Sequence, residues 1–370
     1  MVRLGNLAID APFYQAGLAG YSDTAMRLVA RRHGCPYAVT EAMLDLFLLR
    51  GGKGLKHAEL DPADHPIAGQ LMGSNPSDMA AGAKVLVGLG YDVVDVNLAC
   101  PVKKIRRRSR GGHLMGEPDE AIAILDAVRQ AVPDHVPTTV KLRRGSDDSA
   151  DAERNFHRIF EAVLRLGYAG ATVHGRTVAQ KYIGPSRWEF LADLVARYGL
   201  GRGSGFRVQG SGSGEEQCVH ARCHHPEPQT LDPEPSFLLG GSGDIWTAAD
   251  IFRMIEQTGV HWVSVARGCI GNPWVFEQAR AIMRGDEPAP PTIEQQRRVL
   301  LDHFELSVRV NGEELAGRMM RKFGIKFARH HPERDAVAKA FIAVHNTADW
   351  RRVVDAFYSI GEPAPVGASL

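Results

Sequence analysis

The 370-residue chain lacks the marks of several large protein classes. No apolar run approaches the ~18 residues that a membrane-spanning helix requires. The opening residues, Met1 to Asp10, include no hydrophobic stretch of signal-peptide length, so no leader is expected. Five cysteines, odd in number and scattered, do not make a disulfide framework, and a reducing cytoplasm is the expected compartment. Charge is almost balanced, 44 Lys+Arg against 43 Asp+Glu, which excludes a generally basic nucleic-acid binder but leaves room for local basic patches. Walker loops, HExxH helices and Ser/His/Asp triad motifs are also missing. What remains is an ordinary globular mixture, 44% hydrophobic and 24% charged, long enough for one large domain and a smaller one.

Short apolar runs recur up to about residue 285, most of them followed by a helical stretch. Expected strands are 13–19, 37–42, 67–72, 93–98, 138–142, 171–174, 237–240 and 262–266; expected helices are 24–32, 76–90, 119–132, 152–167, 186–198 and 247–258. Eight βα units in series imply parallel strands joined by helical crossovers, either an open doubly wound sheet or a closed barrel. Polar residues decide for the barrel. Gln70, Asn97, Cys100, Lys141, Arg143, His174, Arg176, Ser242, Asp244 and Arg267 all sit at or near the C-terminal ends of their strands, the rim where (β/α)8 enzymes keep their chemistry. Residues 201–236, rich in glycine and serine and then in proline, read as a flexible insertion. Beyond Pro288-Ala-Pro-Pro291 the pattern is helical. The expected organisation is therefore a TIM (β/α)8 barrel over 1–290 with the insertion at about 201–236, a small helical domain over 291–360, and a tail at 361–370.

Cys100 leaves the fourth strand beside Pro101 and reads as a nucleophile, an acid or a buried small apolar residue. The basic run after it, Lys103, Lys104, Arg106, Arg107, Arg108 and Arg110, contains no acid; it suits phosphates or solvent. The seventh and eighth strands end in Gly241-Ser-Gly-Asp244 and Ala266-Arg267-Gly268. Small residues on consecutive βα loops let backbone N–H groups approach an anion, as in barrels that bind a phosphate there. Lys141 and His174 would face the same cavity from the other side. In the insertion, Cys218, His220, Cys223, His224 and His225 match no paired zinc knuckle, and no metal is expected. In the helical domain, Arg318, Arg321, Lys322, Lys326 and Arg329 fall on one helix face, opposite Met319, Met320, Phe323 and Phe327. That face is either an ordinary solvated surface or a polyanion site.

Together these segments resemble the tRNA-dihydrouridine synthase family, over most of the chain apart from 201–236. The resemblance rests on Ala16-Gly-Leu-Ala-Gly20 with Asp23 and Arg27, Gln70-Leu-Met-Gly-Ser74, Asp95-Val-Asn-Leu-Ala-Cys-Pro-Val-Lys-Lys104, Val140-Lys-Leu-Arg143, His174-Gly-Arg-Thr177, Gly241-Ser-Gly-Asp-Ile245, Arg267-Gly-Cys-Ile-Gly-Asn-Pro-Trp274 and Arg321-Lys-Phe323. It implies an FMN-binding barrel and a tRNA-binding helical domain. Gly17, Leu18 and Ala19 would run under the flavin, Gln70, Lys141 and His174 would meet its polar edge, and Ser242, Gly243, Asp244, Ala266 and Arg267 would hold its phosphate. Cys100 would be the catalytic acid, and Asn97, Lys103, Lys104, Arg176, Arg321, Lys322 and Arg329 would contact tRNA. The implied reaction is NADPH-dependent reduction of uridine to 5,6-dihydrouridine, by a monomer, with hydride to C6 and a proton to C5. Two alternatives are an FMN barrel enzyme for a free pyrimidine or another small enone, and a tRNA-binding protein without catalysis.

Overall fold

The computed structural model describes residues 1–102, 105, 109–201 and 237–359. The chain begins with an antiparallel hairpin, β1 (Val2–Leu4) and β2 (Leu7–Ile9). Eight parallel strands then close into a barrel: β3 (Phe13–Gln15), β4 (Ala38–Val39), β6 (Ile67–Met72), β7 (Val93–Asn97), β8 (Thr138–Arg143), β9 (Gly170–His174), β10 (Leu238–Ser242) and β11 (Trp262–Val265), the last pairing back onto β3. A short extra strand, β5 (Met43–Leu44), runs along the upper part of β6. The barrel strands are almost wholly buried, because helices cover one face and side chains fill the other.

The helices outside the strands are α1 (Thr24–Arg32), α2 (Asp45–Leu49), α3 (Lys53–His57), α4 (Pro76–Gly88), α5 (Pro118–Ala131), α6 (Ala150–Arg165), α7 (Glu189–Tyr198), α8 (Ala248–Thr258) and α9 (Trp274–Arg284). Their starts are written in the sequence. Asp23 accepts from the Met26 N–H, Asn75 precedes Pro76 at the first helical position, and Thr247 with Asp250 forms a capping box.

The barrel class expected from the sequence is the one observed; several boundaries are not. The second expected strand, 37–42, is shortened to β4, and β5 begins just beyond it. The first stops at Gln15, where the chain turns inward at Gly17. The sixth helix begins at Glu189 rather than 186, and the Ser186 N–H is bonded to the Asp244 carboxylate at 2.7 Å. The hairpin was not foreseen. It seals the lower end of the barrel, where Leu4 and Ile9 pack with Tyr14, Tyr37, Leu238 and Trp262; the Tyr14 and Trp262 rings lie 4.5 Å apart. Between the two possible copies of the seventh strand, the later one forms β10. The earlier, 206–212, lies outside the described residues, as do the Cys/His group at 218–225 and the tail.

Four further helices follow: α10 (Ile293–Asn311), α11 (Glu313–Phe327), α12 (Arg334–Ile342) and α13 (Thr347–Phe357). They bury Phe304, Phe323, Phe341 and Trp350 among themselves. They dock on the barrel's first two βα units and on the loop after β11. The Tyr21 and Phe323 rings meet edge to face at 5.7 Å, Arg309 pairs with Asp61 at 2.8 Å, and Gly271 lies so close to the Phe327 backbone that a Cβ there would sit 2.7 Å from its nitrogen.

Candidate active site

A cavity of about 500 Å³ opens at the C-terminal ends of the strands. Every expected cofactor residue lines it: Gly17, Leu18, Ala19, Gln70, Lys141, His174, Ser242, Gly243, Asp244, Ala266 and Arg267. Cys100 and Asn97 line it too. Strand alternation explains the convergence. Asp95 and Asn97 are two apart on β7, Thr139, Lys141 and Arg143 are two apart on β8, and inward-facing positions stack in rising layers.

Two walls differ in chemistry. The first is a hydrogen-bonded row of uncharged amides ending on one carboxylate. Asn97 Oδ1 accepts from the backbone N–H groups of Ala99 and Cys100 at 3.0 and 3.1 Å, which ties down the loop that carries the thiol. Asn97 Nδ2 donates to Gln70 Oε1, and Gln70 Nε2 donates to Asp95, both at 2.7 Å. The Cys100 loop also rests on Gly111 and Gly112: a Cβ on Gly112 would lie 2.7 Å from the Cys100 carbonyl oxygen. Burial raises the Cys100 thiol above its ordinary range, against smaller opposing effects from the Val102 backbone and Arg143. At neutral pH the sulfur therefore keeps its proton.

The second wall is cationic. Burial, reinforced by Arg143 and opposed by Asp95, brings Lys141 down to about 7. His174 is held far below its usual range by burial and by the charges of Lys141, Arg143, Arg176 and Arg267, so its ring is neutral. Its Nδ1 accepts from the Arg176 N–H at 3.1 Å, which leaves the proton on Nε2 as a donor. Gly17 has its place because a Cβ there would lie 2.1 Å from the Thr40 carbonyl oxygen. Gly268 has its place because a Cβ would lie 2.2 Å from that of Ile245, which lets the last two βα loops pack together.

Three expected assignments need correction. Asp244 was expected to hold a phosphate, but its carboxylate accepts from Arg176 Nη2 at 2.7 and 2.8 Å and lies 3.6 Å from Arg267. A carboxylate repels an anion, so the work of Asp244 is to hold those two cations. Arg176 was expected to reach RNA, but it is 3% exposed and its guanidinium is engaged by Asp244 and the Gly184 carbonyl. Arg329 follows α11 in a short 3-10 turn, and its guanidinium donates to the carbonyls of Gly268 and Ile270 at 2.9 and 2.7 Å, pinning the helical domain to the last barrel loop. On the helix face, Arg318 pairs with Glu314 at 2.7 Å. Lys322 donates to the Gly20 carbonyl and lies 5.0 Å from the Tyr21 ring. Among the described residues Arg321 and Lys326 have no hydrogen-bond or ion-pair partner. Lys103, Lys104, Arg106, Arg107 and Arg108 lie outside the described residues.

Four residues of the site carried no expected role. Asp95 ends the amide row. Arg143, 3% exposed, donates to the carbonyls of Ala99, Thr177 and Lys181 at 2.8–2.9 Å, joining the Cys100 loop to the loop after β9. Tyr182 and Trp246, 54% and 44% exposed, flank the Arg267 guanidinium at 5.1 and 4.8 Å on the rim. Period-two alternation from Asn97 and Lys141 would have found the first two. Nothing in the sequence marks a lone loop aromatic.

Known proteins supply an independent comparison. Residues 14–198 and 236–356 match the family described as Dihydrouridine synthase. The chain is 28% identical over 366 residues to the probable tRNA-dihydrouridine synthase of Treponema pallidum, covering 97% of each. It is 29% identical to tRNA-dihydrouridine synthase B of Pseudomonas aeruginosa, covering 87% of this chain and 85% of that one. Among solved structures, 6-hydroxypseudooxynicotine amine oxidase of Pseudomonas geniculata N1 superposes with a TM-score of 0.54 at 12% identity, over 81% of this chain and 52% of that one. A 2-naphthoyl-CoA reductase complex gives 0.51 at 13%, over 77% and 52%. The chain thus spans about half the length of these two, and they share its fold. With the family match extending over both the barrel and the helices behind it, the chain belongs to the dihydrouridine synthase family.

Proposed function

We propose that the protein reduces uridine in tRNA to 5,6-dihydrouridine, using FMN and NADPH, with Cys100 as the acid. The observation that carries this reading is that one cavity holds both a protonated thiol and a glycine-lined cationic wall.

The fit of the residues to a flavin rests on what Cβ atoms would do. Side chains at Gly17 or Gly243 would collide with Thr40 or with Ser186 and His174, so these glycines let backbone form the cavity wall, where a ring or an anion can lie against it. The cavity is within the ~300–1,000 Å³ of typical ligand sites. Gly17, Leu18 and Ala19 would support the ring, and Gln70, Lys141 and His174 Nε2–H would donate to its polar edge. Backbone N–H groups around Ser242-Gly243 and Ala266, with Arg267, would hold the phosphate. When bound, the flavin supplies the hydride for uracil C6 after reduction by NADPH.

The chain's own part is proton delivery and positioning. Hydride addition at C6 develops negative charge on the enone of the base, and a donor near C5 must quench it. Cys100 serves because burial keeps its proton in place until that charge appears. Asn97 and Arg143 hold the loop that carries it. The target base must leave its stack to enter, and the exposed rings of Tyr182 and Trp246 with Arg267 suit unstacked nucleotides at the mouth. Arg321 and Lys326, on the helical domain of residues 291–360, would take phosphates, while Lys322, expected beside them, is held by the Gly20 carbonyl.

The test is Cys100→Ala. Purified protein should be yellow, and the variant should keep its flavin and its NADPH oxidation with an artificial acceptor. It should lose at least about a hundredfold in dihydrouridine formation, the lower end of what a positioned acid contributes. The measurement is mass spectrometry of tRNA for the two-hydrogen increment, and full activity in the variant would remove Cys100 from its role.

A further inference from the structure

The geometry points to Asp95 as a positioning residue that fixes, through Gln70 and Asn97, the backbone of the loop bearing Cys100. Its importance for turnover rests on the reaction proposed above; its hydrogen-bond logic does not.

That logic follows from which atoms can only donate and which can only accept. The N–H groups of Ala99 and Cys100 can only donate, so the oxygen of the Asn97 carboxamide must face them. The Asn97 nitrogen is then turned toward Gln70, which must answer with its oxygen. The Gln70 nitrogen is in turn directed at position 95, and only an acceptor there completes the row. Asp95 supplies it with one oxygen, while the other accepts from the Thr139 hydroxyl at 2.5 Å. Strand register brings the members together: Gln70 on β6 and Thr139 on β8 are both paired with Asp95 on β7. Gln70 and Asp95 are 4% and 6% exposed, so a partner lost from the row leaves a largely buried polar group behind. Each amide nitrogen uses one hydrogen in the row and keeps its second. Asp95 thus sets the direction of two amides that line the cavity, as well as the position of the thiol loop.

Two experiments on the full-length protein test this. In Asp95→Leu, which keeps the bulk and removes the acceptor, hydrogen exchange at the Ala99 and Cys100 amides should accelerate about tenfold or more. In Asp95→Asn it should stay within about threefold, because the new carboxamide can offer its oxygen to Gln70 while the Thr139 hydroxyl turns to accept. The second experiment reverses the polarity of the row. Asn97→Asp should lower Tm, since a carboxylate at 97 turns Gln70 around and sets its oxygen against Asp95. Adding Asp95→Asn should recover at least half of that loss, since the nitrogen introduced at 95 can then donate to Gln70. Unchanged amide exchange in Asp95→Leu, or a double variant as unstable as the two single losses added together, would overturn the inference. A wild-type protein that makes no dihydrouridine would sink the functional reading and leave the exchange and melting results to stand or fall by themselves.

Discussion

The pocket and helix α11 both present several cations, and they use them in opposite ways. In the pocket Arg143 and Arg176 are buried and held by carbonyls and a carboxylate, so each is a structural tie between loops. On α11 Arg321 and Lys326 lack described partners, while Arg318, Lys322 and, just beyond the helix, Arg329 are held by neighbours. A cation held by buried acceptors sets geometry. A cation left to solvent offers long-range, salt-sensitive attraction.

The largest expected effect lies in the pocket. Gly17→Val places side-chain atoms against the Thr40 carbonyl, in a space a Cβ alone would already overfill. That variant should purify without flavin, read as loss of the visible flavin absorbance in folded protein; a yellow variant would show that the loop under the proposed ring can yield.

Next comes the helix, where the comparison is sharpest. Replacing both Arg321 and Lys326 by alanine should weaken tRNA binding and reduce the slope of log K against log salt by about two, near one per lost phosphate contact. Arg329→Ala should leave that slope alone and lower stability by about 1–2 kcal/mol, the scale of hydrogen bonds lost from a charged group. Equal slopes for the two variants would erase the distinction drawn between free and engaged cations.

The last effect is one of pH. Lys141 sits near 7 in the folded protein against about 10.4 in an unfolded chain. Between those values the unfolded state binds more protons, so stability of the ligand-free protein rises with pH over that window and levels off below 7. Lys141→Met should remove that part of the slope in Tm measured from pH 7 to 10. An unchanged slope would mean that the lysine is better solvated than its surroundings imply.

Much of the fold was legible because local rules sufficed. Caps such as Asp23, Asn75 and Thr247 mark helix starts, and continuous apolar runs mark strands buried on both faces. The site was legible to the extent that barrel chemistry gathers at strand ends, and there Cys100, Lys141, His174 and the glycine loops were found. The hairpin escaped because three-residue strands carry almost no pattern, and their burial comes from the barrel floor they meet. Arg176 and Arg329 misled because a cation in a sequence looks the same whether it faces RNA or the carbonyls of Gly184, Gly268 and Ile270.

The order of βα units and the inward rows Asp95/Asn97 and Thr139/Lys141/Arg143 were determined by the sequence alone, since each follows from neighbours a few residues away. Only the tertiary structure decided which cations are tied and which are free, which way the amides of Gln70 and Asn97 face, and that the thiol shares a cavity with the loops after β10 and β11. Those outcomes depend on groups far apart in the chain that meet only when the barrel closes, and hydrogen-bond direction and desolvation are properties of that meeting.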